Sequence, residues 1–136
     1  MSGFKYLATP YSKYPDGVDA AHAEACAIAA ALFRQGTPVY SPIAHTHAIE
    51  TIGRLGVGFE HWAAFDEAMI AASDGMIVAM MDGWKDSAGI AAEIVICRRL
   101  GKPVEYLDPT AVQPTRPPAD AISSRISVVS AGFSSA

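Results

Sequence analysis

The sequence has few charged residues, only two cysteines and no long apolar run. Charged residues make up 18% of the 136 positions, and the net charge is −4 without a basic stripe, which argues against duplex nucleic acid as the main partner. No apolar run approaches the ~20 residues that a membrane span requires. The first residues lack the apolar core of a signal peptide, so we expect a cytoplasmic protein with no membrane partner.

The few metal-binding residue types are also poorly arranged for a metal. Cys26 and Cys97 each lie within an apolar helical pattern, which indicates small core residues in a reducing compartment. His45 and His47 lie two positions apart, and with His61 they suggest a metal site. Because the usual Cys/His spacing is missing, we expect these histidines to contact substrate or to lie in a surface loop. The sequence therefore predicts no metal and no cofactor.

What the sequence does contain is an alternation of short apolar segments with longer helical patterns. Strands are predicted at 4–8, 38–41, 75–80 and 102–107, and helices at 17–35, 59–73 and 89–100. Such alternation predicts an α/β fold, a doubly wound and mostly parallel sheet of four to five strands with helices on both faces. We expect the strand order 2-1-3-4 and a single domain over residues 1–108.

Two segments fall outside this alternation. Residues 42–58 show no clear period and contain three glycines, so we predict an active-site loop there. Residues 109–136 are rich in Pro, Ser, Thr and Ala, which indicates an extended or disordered tail. Within this tail, residues 125–129 have the pattern of a short added strand.

Residues 81–93 connect the third predicted strand to the last predicted helix. This kind of strand-to-helix junction is where open α/β sheets bind ligands. Asp86 or Ser87 can cap the helix, whose first-turn N–H groups then point at a bound anion. The junction is therefore the first place to look for a site.

Two carboxylates lie on otherwise apolar helix faces. Glu93 shares its face with Ile90 and Cys97, and Asp66 shares its face with Ile70. A carboxylate on such a face is costly to bury unless it is paired, hydrogen-bonded or open to a cleft. We expect the two groups to converge on one cleft at the carboxyl ends of the strands. The alternative is that each caps a loop or pairs with an arginine.

These segments resemble the nucleoside 2-deoxyribosyltransferase superfamily, which includes nucleotide N-glycosidases. The resemblance is carried by KYLATPYS (5–12), FDEAMIAASD (65–74), DSAGIAAE (86–93) and GKPV (101–104), and it covers most of residues 4–107 in the same order. Small uncharacterised bacterial and phage members of the superfamily are especially similar. The segments 42–58 and 80–87 depart from the transferases, which leaves the identity of the nucleobase open.

The resemblance implies a role for each matching residue. Glu93 takes the position of the nucleophile that attacks the anomeric carbon, and Tyr6 that of the tyrosine that orients it. Asp66 takes the position of an aspartate near the base, where it would protonate the departing nucleobase. Ser87 takes the position of the phosphate-binding serine of the nucleotide hydrolases. The implied partner is a small-molecule nucleotide or nucleoside, and the superfamily's pairing of subunits implies a homo-oligomer.

Six further residues are expected to contact the substrate: Tyr11, Ser12, His45, Trp84, Asp86 and Gly89. Trp84 could stack on the base, and the equal alternative is that it covers the end of the sheet. Three functions remain open. We favour hydrolysis of the N-glycosidic bond of (deoxy)nucleoside 5′-monophosphates; the others are base exchange by a deoxyribosyltransferase and non-catalytic nucleotide sensing.

Overall fold

The computed structural model describes residues 3–56 and 60–112, which form a parallel sheet with helices packed against it. The strands in this part of the chain are β1 (Lys5–Ala8), β2 (Val39–Tyr40), β3 (Met76–Ala79) and β4 (Val104–Leu107). They are ordered β2-β1-β3-β4 and every neighbouring pair is parallel. The predicted α/β class and the predicted strand order are both confirmed.

The helices of the described residues are α1 (Val18–Arg34), α2 (Pro42–Gly53), α3 (Trp62–Ala72) and α4 (Ala88–Arg99). α1 packs against α2, and α3 packs against α4. A short 3₁₀ helix, Trp84–Asp86, precedes α4, and a second, Pro109–Ala111, follows β4. None of these helices is long and apolar enough to cross a membrane.

The side chains of β1 alternate between the two faces of the sheet, as a buried strand requires. Tyr6 belongs to a buried cluster with Ile90 and Cys97 of α4, whereas Leu7 belongs to a second cluster with Ile28 of α1. Fully burying one large apolar side chain contributes about 1.5–3 kcal/mol to folding, so these two clusters fix the helices on the sheet. Tyr6 is thereby placed directly beneath α4.

The predicted loop at 42–58 is wrong over most of its length, because residues 42–53 form α2. Ser41 caps this helix by accepting a hydrogen bond from the N–H of Ala44 at 3.1 Å, and Pro42 occupies the first turn, where its missing N–H costs nothing. An apolar period could not reveal the helix, since most of its buried positions are polar: Thr46, His47 and Glu50. Residues 57–59 lie outside the described residues.

The segment predicted as a tail begins with regular structure. Asp108 caps the 3₁₀ helix Pro109–Ala111 by accepting a hydrogen bond from the N–H of Thr110 at 2.9 Å. Residues 113–136, which include the predicted strand at 125–129, lie outside the described residues. The two cysteines are free thiols, Cys97 buried and Cys26 partly buried.

Candidate active site

A cavity of about 220 Å³ lies at the carboxyl end of β1, between the loop that follows this strand, α2, α3 and the start of α4. Its lining includes six residues that the sequence pointed to: Tyr11, Ser12, Asp66, Ser87, Gly89 and Glu93. Sites that enclose a drug-sized ligand usually measure about 300–1,000 Å³, so a nucleotide would extend beyond this cavity. The structure thus brings residues from distant parts of the chain to one place.

A larger cavity of about 490 Å³ lies on another side of the sheet. It is lined by residues that precede β1, β2 and β3 and by part of β4, where Lys5 and Glu105 form an ion pair at 2.9 Å. Ligands of doubly wound sheets bind at the carboxyl ends of the strands, and none of the predicted site residues lines this larger cavity. The smaller cavity is therefore the better candidate.

Glu93 is held in the cavity wall by Tyr6. The Tyr6 hydroxyl, whose side chain is fully buried under α4, donates a hydrogen bond to Oε2 of Glu93. Burial raises the pKa of Glu93 to about 8; the hydrogen bond from Tyr6 acts in the opposite direction, and the negative charge of Asp66 raises the pKa further. Burial also raises the pKa of Tyr6, so Tyr6 remains a protonated donor.

Asp66 is a second carboxyl group with a perturbed environment. Burial raises its pKa to about 6, and the negative charge of Glu50 adds to this effect. Among the described residues, its buried Oδ1 has no hydrogen-bond partner, and the same is true of the Thr9 hydroxyl in the same cavity. Buried polar atoms nearly always have a partner in a protein or its solvent. The two unsatisfied atoms therefore indicate that a polar ligand or water completes this wall.

The start of α4 forms the other wall. Of the two predicted caps, Ser87 is the one used: its Oγ accepts a hydrogen bond from the N–H of Ile90 at 3.2 Å, which leaves the hydroxyl proton available to a ligand. The first-turn N–H groups of a helix have no acceptor within the helix. A Cβ at Gly89 would meet only Ser87 Oγ, at 3.8 Å, so the fold itself does not require glycine there. The space above this turn is open to an anion.

Three residues predicted to contact substrate do not line the cavity. Trp84 is partly buried and packs against Tyr106, with ring centroids 5.8 Å apart, as expected if it covers the end of the sheet. Asp86 is exposed in the 3₁₀ helix before α4. His45 is exposed on α2 and stacks on Phe65, with ring centroids 5.7 Å apart.

The sequence drew attention to His47 as a substrate contact or surface-loop residue, but its buried contact with Tyr11, and the neighbouring Glu50 and Asp19, were missed. The Tyr11 hydroxyl oxygen lies 2.7 Å from Nδ1 of His47 and 3.4 Å from Oε2 of Glu50, and both of these partners are buried in α2. Nε2 of His47 lies 3.1 Å from a carboxylate oxygen of Asp19 on α1. The available signal was the Ser-Pro helix start at residues 41–42, followed by polar residues at helical spacing.

A family model described as a domain of unknown function, DUF1937, matches residues 3–108 of the 136. The chain belongs to the DUF1937 family. A search of curated proteins found no match. Every residue that lines the candidate cavity falls within the matched range, so the cavity is a feature of the DUF1937 domain.

The three histidines that suggested a metal site lie in different environments in the DUF1937 domain. His47 is buried in α2, whereas His45 and His61 are exposed. Within residues 3–56 and 60–112, no group of three or more His, Cys, Asp or Glu side chains is arranged to hold a metal ion.

Proposed function

We propose that this chain hydrolyses the N-glycosidic bond of (deoxy)nucleoside 5′-monophosphates through a covalent intermediate on Glu93. One observation carries the proposal: Glu93 lines a cavity with the Tyr6 hydroxyl bound to one of its oxygens and with a second carboxyl group, Asp66, in the same cavity. A nucleophilic carboxylate and a second group that donates a proton are what cleavage through a glycosyl-enzyme requires.

In the first step, an oxygen of ionised Glu93 forms a bond to the anomeric carbon while the bond from that carbon to the base nitrogen breaks. Protonated Asp66 gives its proton to the departing base. In the second step, a water molecule attacks the same carbon, ionised Asp66 takes the water proton, and Glu93 leaves as a carboxylate. The Tyr6 hydroxyl stabilises the charge on Glu93 when it leaves and orients its oxygens for attack.

Both carboxyl groups have raised pKa values, and the value of Glu93 is the higher one, so the resting protein holds a shared proton mainly on Glu93. Between the pKa of about 6 and the pKa of about 8, the pair as a whole binds one proton. The reactive arrangement forms when that proton moves from Glu93 to Asp66, which leaves the negative charge on Glu93, where the Tyr6 hydroxyl donates to it. One site thereby supplies a proton donor and a nucleophile at the same pH.

The phosphate is assigned to the first turn of α4. The Ser87 hydroxyl and the N–H groups of Ala88 and Gly89 are donors at the positive end of the helix dipole, and Ser87 and Gly89 line the cavity. An aspartate at position 87 would repel a phosphate. This supports a nucleotide over a nucleoside as the substrate.

The test is a screen of nucleosides and nucleoside monophosphates for released base, measured by chromatography with and without a second base. We expect free base and a sugar phosphate from monophosphates, at a rate independent of the added base. A new nucleotide in the mixture would instead indicate base exchange. Binding of nucleotides without any product would overturn the proposal in favour of a sensor.

A further inference from the structure

A chain of three side chains runs from the protein surface to the cavity wall. Asp19 of α1 has 92% of its side chain exposed, and its Oδ1 lies 3.1 Å from Nε2 of His47. The His47 side chain is only 10% exposed, and its Nδ1 lies 2.7 Å from the Tyr11 hydroxyl oxygen. Tyr11 lines the same cavity as Asp66 and Glu93. The catalytic steps proposed above give no role to Asp19 or His47.

The His47 ring is fixed on every side that the structure describes. The His22 ring of α1 stacks on it, with centroids 4.4 Å apart and planes inclined by 20°. The Tyr11 ring meets it edge-on at 5.7 Å. Stacked, edge-on and hydrogen-bonded neighbours restrict the rotation of a buried imidazole, so the role of each nitrogen is set by its partner.

The partners of His47 determine where the protons lie. An ionised carboxylate can only accept a hydrogen bond from its neighbour, so the 3.1 Å contact between Asp19 Oδ1 and His47 Nε2 favours the tautomer with the proton on Nε2. In the neutral imidazole, Nδ1 then has a lone pair and accepts the Tyr11 proton at 2.7 Å. Glu50 is the competing acceptor, but its 3.4 Å distance exceeds the usual range of about 2.5–3.0 Å for such bonds. The Tyr11 proton therefore points at His47, away from the ligand.

We propose that Asp19 and His47 are positioning residues that hold Tyr11 as a hydrogen-bond acceptor in the cavity, where its oxygen binds an O–H donor. That donor is either a sugar hydroxyl or the attacking water, and its identity rests on the proposed function. The orientation of the Tyr11 hydroxyl is independent of the proposed function. Burial, assisted by the charge of Glu50, raises the pKa of Tyr11 to about 12, so the group remains a neutral phenol.

The proposal is tested first without any assay of activity. Histidine labelled with ¹⁵N reports which ring nitrogen carries the proton, at a pH where the imidazole is neutral. We expect His47 to have its proton on Nε2 in the parent protein. We also expect Asp19→Asn to reduce that population, whereas Asp16→Asn, which removes the same charge from a nearby exposed residue, leaves it unchanged. A proton on Nδ1 in the parent would overturn the proposal.

Kinetics then test the role of the Tyr11 oxygen. A hydrogen bond contributes about 0.5–1.5 kcal/mol, so Tyr11→Phe should lower kcat/KM about tenfold and Asp19→Asn about threefold, with Asp16→Asn unchanged. Because Asp19 is exposed, its variant should keep the parent Tm. If the donor is a sugar hydroxyl, the loss lies in KM and vanishes for an analogue without that hydroxyl. If it is water, the loss lies in kcat and is relieved when an added base intercepts the intermediate.

Failure of the proposed function and failure of the positioning role give different results. If the parent turns over no nucleotide, the proposed function fails, and the proton position on His47 still decides whether Asp19 and His47 orient Tyr11. If the parent is active but Asp19→Asn matches Asp16→Asn in both rate and proton position, the proposed function stands and the positioning role is overturned.

Discussion

The two walls of the cavity differ in what they offer a ligand. The wall at the start of α4 offers donors, namely the Ser87 hydroxyl and the first-turn N–H groups. The second, acceptor wall presents the Tyr11 oxygen, which accepts a hydrogen bond in the proposed arrangement, with Glu50 behind it. Asp66 of α3 lines the same cavity and is the group that would give and take a proton. An anion, which only accepts, is drawn to the first wall, and groups that carry protons are drawn to the second. In the proposed function, this difference sets the orientation of the ligand relative to Glu93 on α4.

The largest effect is expected at the reacting group itself. Glu93→Gln keeps the volume and removes the nucleophilic charge, so turnover should fall at least about a thousandfold while nucleotides still bind. Steady-state rates and calorimetric titration measure the two quantities. Glu67→Gln, the same change at an exposed position on α3, is the control and should keep the parent rate. A Glu93→Gln rate within a few-fold of the parent would remove Glu93 from the mechanism.

A smaller loss of rate is expected when Asp66 is changed. Asp66→Asn removes the proton donor, whose contribution is typically about a hundredfold or more, and the loss should be greatest for bases that leave poorly without protonation. A series of substrates with graded leaving groups gives this dependence. If all members of the series slow equally and the Tm falls, Asp66 is a structural residue and does not donate the proton.

The donor wall is tested by the choice between nucleotide and nucleoside. Hydrogen bonds to charged groups contribute about 1.5–3 kcal/mol, so Ser87→Ala should lower monophosphate use about ten- to a hundredfold and leave nucleoside use nearly unchanged. Ser87→Asp retains a helix cap but adds a repelling charge, and it should shift the preference further toward nucleosides. The ratio of the two kcat/KM values is the measurement.

The control for this prediction is Ser41→Ala, which removes the corresponding cap from α2. Ser41 accepts from the N–H of Ala44 at 3.1 Å, much as Ser87 accepts from Ile90 at 3.2 Å. Both alanine variants should lose about 0.5–2 kcal/mol of stability, but only Ser87→Ala should change the nucleotide preference. Equal ratios in all proteins would place the phosphate elsewhere.

The pH dependence of kcat/KM tests which protonation state of the Asp66 and Glu93 pair is active. As the pH falls through about 6, both groups become protonated and the nucleophile is lost; as it rises through about 8, both ionise and the proton donor is lost. The profile of kcat/KM should therefore be bell-shaped, with its maximum between these values. A rate that keeps rising beyond pH 9 would contradict a protonated Asp66.

The smallest expected effect is a dependence of the free energy of unfolding on pH. Because folding raises the pKa of Glu93 from 4.5 to about 8, the folded protein binds this proton more tightly than the unfolded chain does. Stability should decrease as the pH rises from about 4.5 to 8, and Glu93→Gln should be more stable than the parent at pH 9 by about 1–3 kcal/mol. Urea unfolding at pH 5 and pH 9 measures the difference. The exposed Glu60→Gln should keep the pH dependence of the parent, because it retains Glu93.

The donor wall and both carboxyl groups could be predicted from the sequence, whereas most of the acceptor wall could not. The junction before α4 is a local pattern, and a carboxylate such as Glu93 on an apolar helix face is visible without any structure. The contact between Tyr11 and His47 joins residues far apart in the chain, and α2 buries Thr46, His47 and Glu50, which show no apolar period. Buried polar residues of this kind can be recognised only from the three-dimensional structure, because their hydrogen-bond partners come from distant parts of the chain.

The central claim is that Glu93 forms a covalent bond to the sugar, and mass spectrometry of rapidly quenched protein tests it most directly. The parent, mixed with a slowly hydrolysed 2-fluoro analogue of a nucleoside monophosphate, should gain the mass of the sugar phosphate on the peptide that contains Glu93. Glu93→Gln should gain nothing. Base release accompanied by an adduct on another residue, or base release by the Glu93→Gln protein, would contradict the account.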